Sequence, residues 1–311
     1  MRAVIAALIL ACVPAPAFAQ FTVIPPFEPG AVTPRISPRD YSFGALEAEP
    51  TGDWARCSNY ARRFTHEEVL LGCEGLLSAE PDAPDRALVH YWRAIAYRQA
   101  GDEVGAASAF DVALQAYADW IAEDRYQAEP YFQRAGMLIY LQRYDAALAD
   151  YTYIDGLLPR QPRTHGGLGR LAFARGDYLA AMREYDRAQT LAERRVAGDD
   201  YSIGRCESRA AAHIELELAL SICNRIVRNT EGNPEALVAR GFLKFIRGDL
   251  DSARADFARA LERNEHLASA RYGHGVVLVH LGRVEEGDAD IARARTLASE
   301  RVRALEAAGL R

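Results

Sequence analysis

Residues 238–261 read VARGFLKFIRGDLDSARADFARAL, and two other stretches repeat their pattern. These are YWRAIAYRQAGDEVGAASAFDVAL (91–114) and GGLGRLAFARGDYLAAMREYDRAQT (166–190). Each stretch contains a small residue, a Gly-Asp pair, a second small residue, an aromatic residue and an alanine, and the small residues are separated by 12 and then 7 positions. Self-similarity of this kind predicts a repeat array rather than a single globular core.

Further copies keep the same spacing. Ala135 lies 34 residues before Gly169, and Gly241 lies 34 residues before Gly275. The 72 residues between Gly169 and Gly241 leave room for one more copy, and another fits upstream. About seven copies therefore cover residues 50–297. The alternative is a chance alanine-rich helical bundle, which the equal steps and matching turns disfavour.

The pattern resembles the tetratricopeptide repeat family. In that family each repeat is a pair of antiparallel helices, A and B, and the pairs stack into a right-handed superhelix. The resemblance implies an all-α fold: a right-handed superhelical solenoid of about seven helical hairpins with a C-terminal capping helix. Small side chains allow close helix approach, and glycine suits the tight reversal between helices. One aromatic residue of each B helix should fill the gap between neighbouring pairs, here Phe110, Tyr151, Tyr185 and Phe257.

The N-terminus has the features of an export signal. Arg2 precedes an apolar run over residues 3–13, and Ala17-Phe18-Ala19 offers a small-x-small cleavage site that would leave Gln20 first. The apolar run is too short for a bilayer core of about 30 Å. We therefore predict a periplasmic chain with no transmembrane segment. Two alternatives stay open: a buried N-terminal helix, and a lipoprotein signal ending at Cys12 that would place the chain at the outer membrane.

A proline-rich segment follows the leader. Seven of the 14 prolines lie within residues 14–38, and residues 20–50 show no helical or strand period. Because proline fixes φ and lacks an amide donor, we expect an extended segment, either a tether or a strip on the folded body. The predicted organisation is a signal peptide (1–19), this segment (20–50), and a solenoid with its cap (51–311).

Four cysteines remain after the leader, as expected for disulfides in an exported chain. On the register that the family resemblance supplies, Cys57 and Cys206 lie at or beside the small position of helix A, and Cys73 and Cys223 replace the aromatic residue of helix B. Residues equidistant from a turn lie at the same height on antiparallel helices. We therefore predict the bonds Cys57–Cys73 and Cys206–Cys223. Redox and metal-binding roles are the competing interpretations, although neither pair forms C-x-x-C.

The sequence contains no complete catalytic or metal-binding motif. His66-Glu67-Glu68 does not complete a zinc-binding H-E-x-x-H because residue 70 is leucine, and Gly167-Leu168-Gly169 does not complete a phosphate loop. The net charge of −6 offers no basic excess for a phosphate backbone. We expect no enzymatic activity, no cofactor and no nucleic-acid partner.

The family resemblance points instead to a binding surface, since helix A lines the concave face where ligands often lie. Aromatic residues and arginines there suit protein segments, and we expect about half of the set to be exposed. The leading hypothesis is a non-catalytic periplasmic scaffold that binds another envelope protein or an extended peptide in this groove. The alternative is a structural or assembly component of the cell envelope that self-associates through residues 20–50. The predicted groove residues are Tyr91, Ile95, Arg98, Phe132, Ile139, Arg163, Arg170, Phe173, Tyr201, Arg205, Phe242 and Tyr272.

Overall fold

The structure is a computed structural model whose described residues form helices and turns. Within these residues there are fourteen α-helices and no strand. The predicted signal peptide (1–19), the proline-rich segment (20–50) and Cys12 lie outside them. Among the described helices, none combines the length and the apolar character needed to cross a membrane. The structure describes residues 52–59, 64–79, 83–192, 201–297, 302, 305 and 306.

The helices pair into seven antiparallel hairpins. Each A helix packs on the B helix that follows it, and each B helix packs on the next A helix. This arrangement confirms the predicted all-α solenoid of about seven hairpins. The A helices are α1 (Asp53–Ser58), α3 (Ala83–Gln99), α5 (Glu129–Tyr140), α7 (Pro162–Ala174), α9 (Ser202–Ala212), α11 (Pro234–Ile246) and α13 (Ala268–His280). The B helices are α2 (His66–Ser78), α4 (Glu103–Glu123), α6 (Tyr144–Leu157), α8 (Tyr178–Ala192), α10 (Leu216–Asn229), α12 (Leu250–Arg263) and α14 (Val284–Leu297).

The Gly-Asp pairs reverse the chain between helices A and B, as the sequence predicts. Gly101, Gly176 and Gly248 have φ of 80°, 80° and 81°, a region that disfavours residues with a side chain. The aspartate that follows caps helix B. In the second hairpin the Oδ1 of Asp102 accepts a 2.8 Å hydrogen bond from the amide of Gly105, which satisfies one of the free donors at the helix start.

Aromatic side chains of the B helices fill the gaps between hairpins, as predicted. Phe257 is fully buried, and its ring packs on Gly241 in its own hairpin and on Gly273 in the next. A Cβ at Gly273 would lie 2.5 Å from that ring. Tyr185 packs in the same way between a glycine of α7 and Gly204 of α9. The glycines therefore set how closely successive hairpins stack.

Two disulfides close the first and fifth hairpins. Cys57 is bonded to Cys73, and Cys206 is bonded to Cys223, with Cα–Cα distances of 4.6 and 5.8 Å. All four side chains are buried. The bonds join helix A to helix B at the height where other hairpins pack a small residue against an aromatic ring.

The A helices form the inner wall of the array. Helix α5 packs on α7, α9 packs on α11, and α11 packs on α13. Packing of comparable extent does not join successive B helices within the described part of the chain. The A helices therefore line the concave face and the B helices lie on the convex face. Beyond α14, Val302 and Leu305 are fully buried in the core of the last hairpins, where the sequence predicts a cap.

Candidate functional site on the concave wall

The twelve predicted groove residues divide into two equal sets. Six are half-buried and retain accessible surface: Tyr91, Arg98, Arg163, Arg170, Tyr201 and Arg205. The other six have at most 9% of their surface exposed: Ile95, Phe132, Ile139, Phe173, Phe242 and Tyr272. Neighbouring helices already cover the side chains of this second set. They belong to the core that holds the wall together.

Accessible aromatic and arginine side chains gather on α3 and α5. The guanidinium of Arg98 lies over two rings, 4.8 Å from the centroid of Phe110 and 5.1 Å from that of Tyr140. Tyr91 meets Tyr140 edge to face, with the ring centroids 6.3 Å apart. Burial raises the pKa of the Tyr91 hydroxyl, so this hydroxyl stays neutral and can donate a hydrogen bond at physiological pH.

Arg170 extends this cluster onto α7. Its Nη2 atom lies 3.1 Å from the point where a Cβ on Gly136 would be, so the missing side chain leaves room for the guanidinium over α5. The same Nη2 donates a 3.1 Å hydrogen bond to the Oη of Tyr151. We call Tyr91, Arg98, Tyr140 and Arg170 the arginine–tyrosine patch. It spans three consecutive A helices.

The charge of Arg163 is balanced within the wall. Its guanidinium lies 4.3 Å from the ring of Phe132 and donates to both carboxylate oxygens of Glu129, at 2.5 and 3.0 Å. Glu129 was not among the predicted residues. The two partners are 34 residues apart, and that repeat spacing could have identified the pair from the sequence.

Arg205 also has a carboxylate partner, Asp186, which joins α8 to α9. The Nε of Arg205 donates to Asp186 at 2.7 Å, and the Nη2 of Arg209 donates to it at 2.6 Å. Burial favours a higher pKa for Asp186, but the hydrogen bonds from Arg209 and Arg205 outweigh burial and hold this pKa below its ordinary value. Arg205 and Asp186 therefore form a structural link at the edge of the wall.

The chemistry of the arginine–tyrosine patch suits recognition. Guanidinium planes and tyrosine rings supply flat contact area, and the hydroxyl and N–H groups supply hydrogen bonds to a peptide backbone or carboxylate. Tyr140 was missed from the sequence, although it directly follows the predicted Ile139 on α5. Within the described residues, no group of three or more His, Cys, Asp or Glu side chains could hold a metal ion.

Comparisons with known proteins agree with this architecture. A family model described as tetratricopeptide repeat matches residues 74–119 and 246–301. A tetratricopeptide repeat protein from Parabacteroides merdae is 16% identical with a TM-score of 0.56, and the match covers 83% of this chain and 96% of that one. PilW, a type IV pilus biogenesis factor, is 18% identical with a TM-score of 0.52, covering 71% and 98%.

Yeast Tom70 is 14% identical with a TM-score of 0.52, and the match covers 94% of this chain and 68% of Tom70. Among curated proteins, none matches the sequence. The structural neighbours share the fold at low sequence identity, and the family model matches two stretches at opposite ends of the array. The family model therefore identifies tetratricopeptide repeats within residues 74–119 and 246–301, and the structural matches show that the array shares the fold of tetratricopeptide repeat proteins.

Proposed function

We propose that the chain is an exported scaffold that binds another envelope protein, or an extended peptide segment, against its concave wall. The arginine–tyrosine patch carries this proposal, because it keeps four partly accessible side chains together across α3, α5 and α7. Tyrosine and arginine are enriched among the residues that dominate binding energy at protein interfaces. Arrays of this family generally act as non-catalytic interaction scaffolds.

Export to the periplasm is supported by two features of the chain. Residues 1–19 have the charged start, short apolar run and cleavage site of a signal peptide. Both disulfides fit an oxidising compartment. N-terminal sequencing and thiol labelling of the chain from its host envelope test this proposal. We expect Gln20 at the N-terminus and no free thiol, whereas a chain that retains Met1 and labels at all five cysteines would overturn it.

The groove is tested by photo-cross-linking in host cells. A photoreactive phenylalanine analogue replaces either Tyr91 on the concave wall or Asp119, which is exposed on α4. We expect one discrete cross-linked protein from position 91 and none from position 119. Cross-links between two copies of the chain, lost on deletion of residues 20–50, would favour the assembly alternative.

Two arginines of α3 provide a matched pair of variants. Arg98 lies in the patch, whereas Arg93 contacts Tyr97 through a 3.1 Å hydrogen bond. We expect Arg98→Ala to weaken binding of the cross-linked partner about tenfold, or about 1.4 kcal/mol, and Arg93→Ala to leave it unchanged. Phe173→Ala is unsuitable as a test because that ring is buried. Equal binding by both arginine variants would rule out the patch.

A further inference from the structure

One position of the repeat lies on the convex face of every hairpin from the second to the seventh, away from the concave wall. It is the residue six positions after the small residue of each B helix, which places it at the same height on successive hairpins. The first two members are apolar or aromatic, and the next four are all arginine. We call this set the convex row. From the second to the seventh hairpin it consists of Val112, Tyr153, Arg187, Arg225, Arg259 and Arg293.

The four arginines of the convex row are exposed and have no ion-pair partner within the described residues. Other arginines of the array behave differently: Arg240, for example, donates to both carboxylate oxygens of Asp256, at 2.7 and 2.5 Å. Four positions before the row, α10, α12 and α14 carry the small residues Ser221, Ala255 and Ala289, so no long side chain at that position covers the guanidiniums. Glu262 lies one turn after Arg259 but forms no ion pair with it.

Two guanidiniums converge beside the row at the end of α12. The Nη2 atoms of Arg259 and Arg263 lie 3.4 and 3.7 Å from the point where a Cβ on Gly232 would be. Both guanidiniums therefore lie near the same point of the surface, where like charges repel each other unless an anion lies between them. The pair therefore marks a place along the row where a carboxylate would be favoured.

The other end of the row is apolar. Val112 is 43% exposed and Leu148 is 37% exposed. Leu148 and Tyr153 line one shallow cavity on the outer surface of α6. The Tyr153 ring stacks on Tyr131 with centroids 4.6 Å apart, and its hydroxyl donates a 3.0 Å hydrogen bond to the carbonyl of Arg125. The ring is thereby fixed at the edge of the cavity.

We propose that the convex row binds an extended polypeptide segment of another protein, apolar at one end and acidic along the rest. Carboxylates pair with guanidiniums through two parallel hydrogen bonds. Successive B helices do not pack on each other in the described part of the chain, so the arginines lie further apart than the about 10 Å between packed helices. An extended chain rises about 3.3 Å per residue, so a carboxylate at every third position recurs about every 10 Å and offers each arginine a partner, while the apolar end covers Val112 and Leu148.

The geometry favours a polypeptide over other polyanions. The net charge of −6 opposes any polyanion, and a nucleic acid is wide enough to meet the acidic surface beside the row, whereas a single extended strand is not. A flat bilayer would touch a convex face over only part of the row. A single line of side chains that changes from apolar to cationic matches a single extended strand with the complementary order.

Fluorescence anisotropy with the mature chain tests the proposal. The probe is a labelled peptide of three leucines followed by four Glu-Gly-Ser triplets, and a peptide with glutamine for glutamate is its control. We expect the acidic peptide to bind at least tenfold more tightly than the glutamine peptide at low salt. Arg225→Glu combined with Arg259→Glu should weaken binding at least tenfold, because both guanidiniums become repulsive.

The matched control is Arg86→Glu combined with Arg160→Glu, which changes the net charge equally at two exposed arginines outside the row. We expect this control to bind within twofold of the wild type, and Arg98→Ala in the groove to do the same. Circular dichroism verifies the fold of each variant. Equal weakening by both double variants, no binding of the acidic peptide, or row-dependent binding of phosphatidylglycerol vesicles in its place would overturn the proposal.

Discussion

Among single residues, glycines decide how closely the hairpins stack. Where a B-helix ring enters the gap between hairpins, the helix on the other side presents a glycine, as Gly273 does to Phe257. A methyl group there would have to displace a fully buried ring or the backbone of α13. Elsewhere the array contains helical glycines with open space around them, and Gly156 in α6 has no atom within 4 Å of its Cβ position.

These two glycines give opposite predictions for the same substitution. We expect Gly273→Ala to lower the free energy of unfolding by about 1–3 kcal/mol, because a well-packed gap is overfilled. Gly156→Ala should raise it by about 0.5 kcal/mol, because alanine loses less conformational freedom in a helix. Urea titration followed by circular dichroism measures both. Equal effects of the two variants would contradict the tight packing at Phe257.

The lowered pKa of Asp186 predicts a specific dependence of stability on acid. A carboxyl whose pKa is lower in the folded than in the unfolded chain stabilises the fold above about pH 4, and this contribution is lost as pH falls through the folded pKa. We expect the difference in melting temperature between wild type and Asp186→Asn to be largest near pH 7 and to shrink below pH 4.

Asp251→Asn serves as the control, because Asp251 is exposed and forms no ion pair within the described residues. Its effect on the melting temperature should be small at every pH. A difference for Asp186→Asn that stays constant between pH 7 and pH 3 would show that its hydrogen bonds with Arg205 and Arg209 do not stabilise the carboxylate.

The repeat register in the sequence assigns side chains to positions on helix A, but it does not determine which of them are buried. The repeat register identified Arg98 and Phe173 as occupants of the same helix position, yet the first stays accessible over Tyr140 and the second is buried against Tyr178, with ring centroids 5.1 Å apart. Which of the two outcomes occurs depends on how neighbouring hairpins rotate about each other. That rotation is set by several side chains at once and has no signature at a single position.

At the scale of helices, the fifth hairpin shows how a departure from the repeat is compensated. It lacks the Gly-Asp turn, and His213 and Glu215 take positive φ values of 55° and 49° in its place. The disulfide joins α9 to α10 across this turn. Here the sequence predicted the pairing, because the separation of 17 residues fits an antiparallel hairpin. The length of α4, 21 residues where α6 has 14, leaves no comparable signal in the repeat.

Removing the two disulfides should have unequal consequences. Cys206→Ala with Cys223→Ala should lower the free energy of unfolding by about 3 kcal/mol, the contribution expected for closing a loop of this length. The effect should spread along the array, because the fifth hairpin contacts neighbours on both sides and each hairpin supports the next. Cys57→Ala with Cys73→Ala should loosen mainly α1 and α2. Hydrogen–deuterium exchange measures this difference: we expect faster exchange through α9–α12 in the first variant and only near residues 53–78 in the second. An equal rise in exchange along the whole array in both variants would contradict a local effect of each disulfide.

For the whole molecule, the order of the hairpins gives two faces with different chemistry. The concave wall concentrates its accessible tyrosines and arginines on α3, α5 and α7, whereas the convex row runs from α4 to α14 along the other side. The array itself follows from a repeat that is visible in the sequence. The difference in chemistry between the two faces cannot be read from that repeat, because it depends on which side of each helix the packing leaves exposed.

The two faces should bind their partners independently. They use different helices, and a well-packed array transmits little change between them without a second conformation. We expect a saturating amount of the acidic peptide to leave photo-cross-linking from position 91 unchanged. We also expect the effects of Arg98→Ala and of the Arg225→Glu and Arg259→Glu pair to remain separate, each on its own ligand. A fall in cross-linking when the peptide is added, abolished by the convex pair of substitutions, would show instead that the two faces are coupled.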